Sequence, residues 1–204
     1  VLHGDEVTEL LNYAKDNEFA LPAVNVIGSH SCNAALQAAK EVNSPIIIQV
    51  SNGGARFFAG KLLENDVHQA EIAGAVSFGL HVHNLAELYG VTVILHSDHA
   101  ARKLLPWVDG MIDADERYFE MHDQPLFSSH MLDLSEESLE DNVQTSKQYM
   151  QRMSAIGMTT EVEIGITGGE EDGVDNSDVD NAKLYTQPED VLYTYQELSS
   201  VSDR

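Results

Sequence analysis

Apolar residues along the chain fall into two alternating kinds of segment. Short runs of strand length, 20–26 (ALPAVNV), 45–50 (PIIIQV), 91–98 (VTVILHSD), 126–133 (LFSSHMLD) and 158–165 (MTTEVEIG), are separated by longer stretches whose composition and spacing suit helices. Those stretches are 30–42, 66–90, 106–122 and 135–157, and another helix is expected in 187–201 with Pro188 in its first turn. Ser135 is the expected N-cap of the fourth, with Glu136 and Glu137 in its first turn, and Ser138 stands where a capping box would want Glu or Gln. Strands alternating with helices predict an α/β fold with parallel strands buried on both faces.

Side chains two apart on a strand share a face. Asn25 therefore goes with Ala23, Gln49 with Ser51, His96 with Asp98, Asp133 with Ser129 and Met131, and Glu161 with Glu163. Every one of these strands is apolar early and polar at its C-terminal end. One polar ending would only mark a strand leaving the core. Five in succession predict a shared polar floor at the C-terminal edge of a parallel sheet, where barrels and open α/β sheets place their sites.

Glu161 and Glu163 sharpen this expectation, because Val162 and Ile164 take the face toward the packing helices and leave both carboxylates pointing inward. Inward charges are costly unless paired, hydrogen-bonded or bound to metal. Arginines or backbone amides could meet a lone pair of carboxylates. With His96, Asp98, His99 and Asp133 arriving at the same level, a metal is the stronger expectation. Histidine and carboxylate donors suit zinc, whose catalytic sites use about three protein ligands and keep one position open.

Composition narrows the remaining classes. Cys32 is the single cysteine, so an intrachain disulfide, a CxxC pair and a multi-cysteine metal site are excluded. With 34 acidic against 11 basic residues and a net charge of −23, neither nucleic acid nor an anionic membrane is expected as a partner. The acid excess reads as a solvated surface or, more sharply, as adaptation to high salt. No long apolar run and no basic, apolar leader occurs, which makes a cytoplasmic protein the expectation. No linker-like stretch divides the chain, and residues 1–204 are expected to form a single domain. His81 and His83 lie two apart on a predicted helix and cannot share its face; His3, His30, His68, His122 and His130 receive no role. The acidic run EEDGVDNSDVD has no register that supplies both the Gly and the Glu of a calcium loop.

Taken together, NEFALPAVN, QVSNGGARFFAGK, VTVILHSDHAARKLLPWVDGM, PLFSSHMLDLSEESLEDN, GMTTEVEIGITGGEEDGVDN and LYTQPEDV resemble the class II, zinc-dependent fructose-bisphosphate aldolases of the long subgroup. The resemblance implies a (β/α)8 TIM barrel, here incomplete, with about five βα units. It implies a lyase that reversibly cleaves fructose 1,6-bisphosphate to dihydroxyacetone phosphate and glyceraldehyde 3-phosphate in glycolysis and gluconeogenesis. It further implies a Zn2+ cofactor, a phosphorylated sugar substrate and a homodimer.

By the same resemblance His99 is a zinc ligand, and Asp133 and Glu163 are ligands of an alternative or second metal position. Asp98 is the acid that exchanges a proton with the aldehyde oxygen, Glu171 moves the proton on the dihydroxyacetone phosphate carbon, and Ser51 and Asn25 contact substrate. Chemistry agrees with the metal route. An enediolate needs either a lysine Schiff base or a Lewis acid, and none of Lys15, Lys40, Lys61, Lys103, Lys147 or Lys183 ends a predicted strand. The glycines of ITGGEEDG suit a loop that closes over substrate. A family member is expected to continue with three more strands that carry further histidine ligands and a phosphate-binding loop. The alternatives are a truncated barrel acting as a binding or structural module, and a tagatose-bisphosphate aldolase.

Overall fold

The computed structural model describes residues 1–171, 174–179 and 184–202, with the backbone alone at 170, 171 and 174. Five parallel strands run in sequential order: β1 (Ala23–Asn25), β2 (Ile46–Ser51), β3 (Val93–Asp98), β4 (Ser129–Asp133) and β5 (Thr159–Glu163). Helices lie before and between them: α1 (Asp5–Asp16), α2 (Ser29–Val42), α3 (Asn52–Ala59), α4 (Gln69–Tyr89), α5 (Leu105–His122) and α6 (Leu139–Ala155). A 3-10 turn, Arg102–Leu104, leads into α5. After β5 come a small antiparallel hairpin, β6 (Glu170–Glu171) with β7 (Val174–Asp175), and α7 (Pro188–Leu198).

Branched residues explain the strands. Ile46, Ile48, Val50, Val93, Leu95 and Leu132 point to the helix side and are buried there against Leu36, Phe78, Val82, Trp107, Met111 and Ile112. The other face begins with Ala23, Ile47, Ile94 and Met131, and these residues line one cavity of about 540 Å3 with Gln49, His96, Asp98, Glu161 and Glu163. Residues from β1 through β5 on one cavity wall mean that the sheet curls around its inner face. Val7 and Leu11 of α1 line the same cavity. The chain start is stitched to the sheet by Leu2 N–H to the Val93 carbonyl at 2.8 Å and Gly4 N–H to the Gly157 carbonyl at 2.8 Å.

Four elements depart from the expectation. The sequence pattern does not predict helices α1 and α3 or the hairpin; in α3 the Gly53-Gly54 pair masks the helical pattern. Helix α6 starts later than expected. Ser138, and not Ser135, is its N-cap and accepts the Asp141 N–H at 3.2 Å, while Ser135 turns back to the end of β4. Helix α7 opens at Pro188, as the pattern predicts.

Packing of α3 on α4 needs a glycine. A Cβ on Gly74 would stand 1.9 Å from the Ala55 carbonyl oxygen, so the two helices approach only because that atom is missing. This close crossing braces the segment that follows Ser51 at the end of β2.

Candidate metal centre and active site

Strand register brings the polar endings level. Asn25 lies beside Gln49, Gln49 beside His96, Ser51 beside Asp98, and Asp133 beside Glu163. Parallel strands with alternating side chains therefore deliver one set of polar groups to one rim.

His99 stands at the centre of that rim. Its Nδ1 lies 3.3 Å from Asp133 Oδ2 and 3.5 Å from Glu163 Oε2, and its Nε2 lies 3.9 Å from Asp98 Oδ1. One ligand atom from each of His99, Asp133 and Glu163 falls within 4.8 Å of the others. The backbone at His99 is left-handed, with φ of 31°, and this unusual conformation turns the chain out of β3 immediately after Asp98.

Electrostatics follow from the geometry. Burial works to lower the His99 imidazole, but the Asp133 hydrogen bond and the charges of Asp98 and Glu163 outweigh it and hold the ring above its ordinary value. A carboxylate cluster that favours a cation at this point suits a divalent metal equally well. Imidazole with carboxylate oxygens is a donor set for zinc and its neighbours, and the three residues leave coordination positions open. The residues present thus fit the implied metal.

Neighbouring groups fix these side chains. Asp133 Oδ1 accepts the Ser135 hydroxyl at 2.7 Å and the Ser135 N–H at 3.3 Å, which leaves Oδ2 directed at His99. The Asn142 side-chain amide donates to the Glu163 main-chain carbonyl at 2.7 Å and so ties down the end of β5. Asn25 Nδ2 donates to Asp98 Oδ2 at 2.7 Å and so orients that carboxylate. The Ser51 oxygen caps α3 by accepting the Gly54 N–H at 3.2 Å.

Deeper on the inner face, His96 is 4% exposed, and its Nδ1 meets the Ser129 hydroxyl at 2.7 Å while its Nε2 lies 3.4 Å from Glu161 Oε2. Burial, aided by repulsion from His130, pushes His96 down to about 4. Burial pushes the Glu161 carboxyl up, with the Asp98 charge adding to it. A cavity of about 410 Å3 opens beside His99, Asp133 and Glu163 and is bordered by Arg102 and Ser135.

The structure thus brings His99, Asp133, Glu163, Asp98 and Asn25 together, with Ser51 next to Asp98 in the sheet. Glu171 lies in the hairpin beyond β5, and its side chain is outside the described residues, as is all of Lys183. Of the described lysines, Lys15, Lys40 and Lys147 are on helices and Lys103 is in the 3-10 turn. Reading by residue type missed Ser135, Asn142 and His130. Only the serine carried a signal, its place two residues after Asp133.

Comparison with known proteins gives a consistent picture. The family model described as fructose-bisphosphate aldolase class-II matches residues 5–202. A fructose-bisphosphate aldolase of Campylobacter jejuni is 59% identical over 204 residues, covering 100% of this chain and 56% of that protein. The class 2 fructose-bisphosphate aldolase of Escherichia coli K12 is 58% identical over 205 residues, covering 57% of its length. A crystal structure of the Campylobacter jejuni aldolase superposes with a TM-score of 0.88 at 56% identity, over 99% of this chain and 55% of that one. The chain thus spans little more than half the length of these relatives.

Proposed function

The chain belongs to the class-II fructose-bisphosphate aldolases, and from that premise we propose that it forms the first five βα units of a single-domain TIM barrel performing zinc-dependent aldol cleavage of fructose 1,6-bisphosphate. The observation that carries the reading is the convergence of His99, Asp133 and Glu163 beside the Asn25–Asp98 pair at adjacent strand ends.

His99, with Asp133 and Glu163 beside it for an alternative or second metal position, would hold zinc, which would supply a Lewis acid for a ketone carbonyl. The other tasks fall to the chain's own groups. Asp98, fixed by Asn25 at 2.7 Å, takes the substrate hydroxyl proton in cleavage and returns it in condensation. Glu171 exchanges the proton on the carbon that ends up in dihydroxyacetone phosphate, and the glycines of ITGGEEDG suit a loop that closes over substrate. Ser51 and Asn25 contact the substrate. Glu161 and His96 make up the polar wall beneath these groups and help to hold the rim in place. The protein works as a cytoplasmic homodimer, for which membership of the family is the support.

In the full-length protein His99→Ala removes zinc and abolishes cleavage; full activity in that variant rejects the assignment. Glu171→Ala lowers turnover greatly with zinc retained, and loss of zinc contradicts its role as a base. Tagatose 1,6-bisphosphate turned over faster than the fructose compound would move the assignment to the related tagatose enzymes.

A further inference from the structure

Beneath the metal ligands, the strands that carry His99 and Asp133 are joined by an unusual seam. In register, β3 and β4 pair only at His96 with Ser129 and at Ser97 with His130. Side chains reinforce both positions. On the inner face the His96 ring bonds the Ser129 hydroxyl, and on the helix face the Ser97 hydroxyl meets His130 Nδ1 at 2.8 Å. The second bond continues into α5: His130 Nε2 lies 2.8 Å from Asp115 Oδ2, and Asp115 Oδ1 accepts the Phe127 N–H at 2.8 Å.

Ser97, His130 and Asp115 are all completely buried, at 0% exposure. Serine, histidine and aspartate in this order suggest a nucleophile, but a serine without access to solvent or substrate cannot attack anything. With the His130 proton on Nε2, the donors and acceptors match as a one-way chain: the Ser97 O–H donates to Nδ1, the Nε2–H donates to Asp115, and Asp115 also accepts the Phe127 amide. A buried polar chain of this kind fixes one arrangement, whereas apolar side chains of similar volume would pack without defining a register.

Its position gives it a use. Pairing of the strands stops at Ser97 and His130, one residue before Asp98 and two before the strained His99. Past that point the backbones meet through the Asp133 N–H to the Ala100 carbonyl at 3.0 Å, on the far side of His99. We propose that Asp115 and His130 are positioning residues for the metal centre, which act through Ser97 to clasp the end of β3 against β4 and so set the spacing between His99 and Asp133. This rests on the reading that His99 and Asp133 hold a metal.

The test uses the full-length, zinc-loaded protein and follows transfer of zinc to a chromophoric chelator. A lower hydroxyl tie in the same seam supplies the control: Ser128 Oγ accepts the Leu95 N–H at 2.9 Å and donates to the Leu2 carbonyl at 2.6 Å, at the end away from the metal. Ser97→Ala should release zinc roughly tenfold faster than the unaltered protein, a loss typical of groups that orient metal ligands. Ser128→Ala should lower the melting temperature but leave the release rate unchanged. Unaltered release from Ser97→Ala overturns the proposal, and so does equal acceleration by Ser128→Ala, which would make the seam a matter of general stability. An unaltered protein that holds no zinc at all refutes the metal reading itself, a result separate from either of these.

Discussion

Ser135 and Ser138 should separate metal binding from fold stability. Both are small hydroxyls in the short segment between β4 and α6, yet one holds the Asp133 carboxylate and the other a helix end. Ser135 donates its hydroxyl to Asp133 Oδ1 at 2.7 Å, and the Ser135 amide adds a longer bond at 3.3 Å to the same oxygen. A hydrogen bond to a charged group contributes about 1.5–3 kcal/mol. The lower end applies here, because the Asp133 side chain is 19% exposed and the amide bond survives the substitution. Ser135→Ala should then weaken zinc binding by about 1.4 kcal/mol, or roughly tenfold in Kd, with little change in the melting temperature of the metal-free protein. Ser138→Ala removes the cap on the Asp141 N–H instead. Such a loss costs about 1 kcal/mol, equivalent to a fall of about 2–4 °C in Tm for a domain of this size, with zinc affinity unchanged. Competition against a chromophoric chelator gives the Kd, and thermal melting of the apo protein gives the stability. Equal effects of the two substitutions on zinc would refute the reasoning, since Asp133 would then owe nothing particular to Ser135.

Other outcomes follow from the same geometry. Gly74→Ala should destabilise the protein by about 1–3 kcal/mol, because the new Cβ would meet backbone, and by thermal melting it should contrast with Gly53→Ala, which faces open space and gains about 0.5–1 kcal/mol. In the metal-free protein His99, held above its ordinary value of 6.5, contributes stability that is fully present below 6.5 and lost as pH rises through its folded value. His96, lowered to about 4, works in the opposite sense and withdraws stability as pH falls from 6.5 towards 4. Melting curves across pH should therefore show His99→Asn losing the alkaline slope only, and an unchanged slope would reject the ion pairs around His99. Zinc competes with the His99 proton, so its affinity should fall as the solution is acidified. With a net charge of −23, the melting temperature should rise with ionic strength, and greatest stability at low salt would remove the high-salt reading.

Local pattern carried much of this site. Alternation along the strands correctly placed Asn25, His96, Asp98, Asp133, Glu161 and Glu163 on one face, since period-two geometry depends on nothing outside the strand. Tertiary partners were less legible. Nothing near Ser97 in the chain indicates His130, and nothing near His130 indicates Asp115, because these contacts depend on how β3, β4 and α5 pack. The shift from Ser135 to Ser138 has a physical reading: a serine followed by two acids satisfies capping rules locally, but the Ser135 hydroxyl is engaged by the Asp133 carboxylate and the helix is capped by Ser138. Helix α3 is hidden for a similar reason: Gly53 and Gly54 have low helix propensity, yet the Ser51 cap starts the helix there, and a Cβ on Gly54 would stand 3.1 Å from the Val26 carbonyl oxygen.

The central claim is metal-dependent aldol chemistry at the carboxyl ends of β3, β4 and β5. It is tested most directly by the rate of fructose 1,6-bisphosphate cleavage by the full-length protein before chelation, after chelation and after zinc is returned. Cleavage should vanish with the metal and come back with it. Cleavage that persists undiminished in the chelated protein would contradict the account.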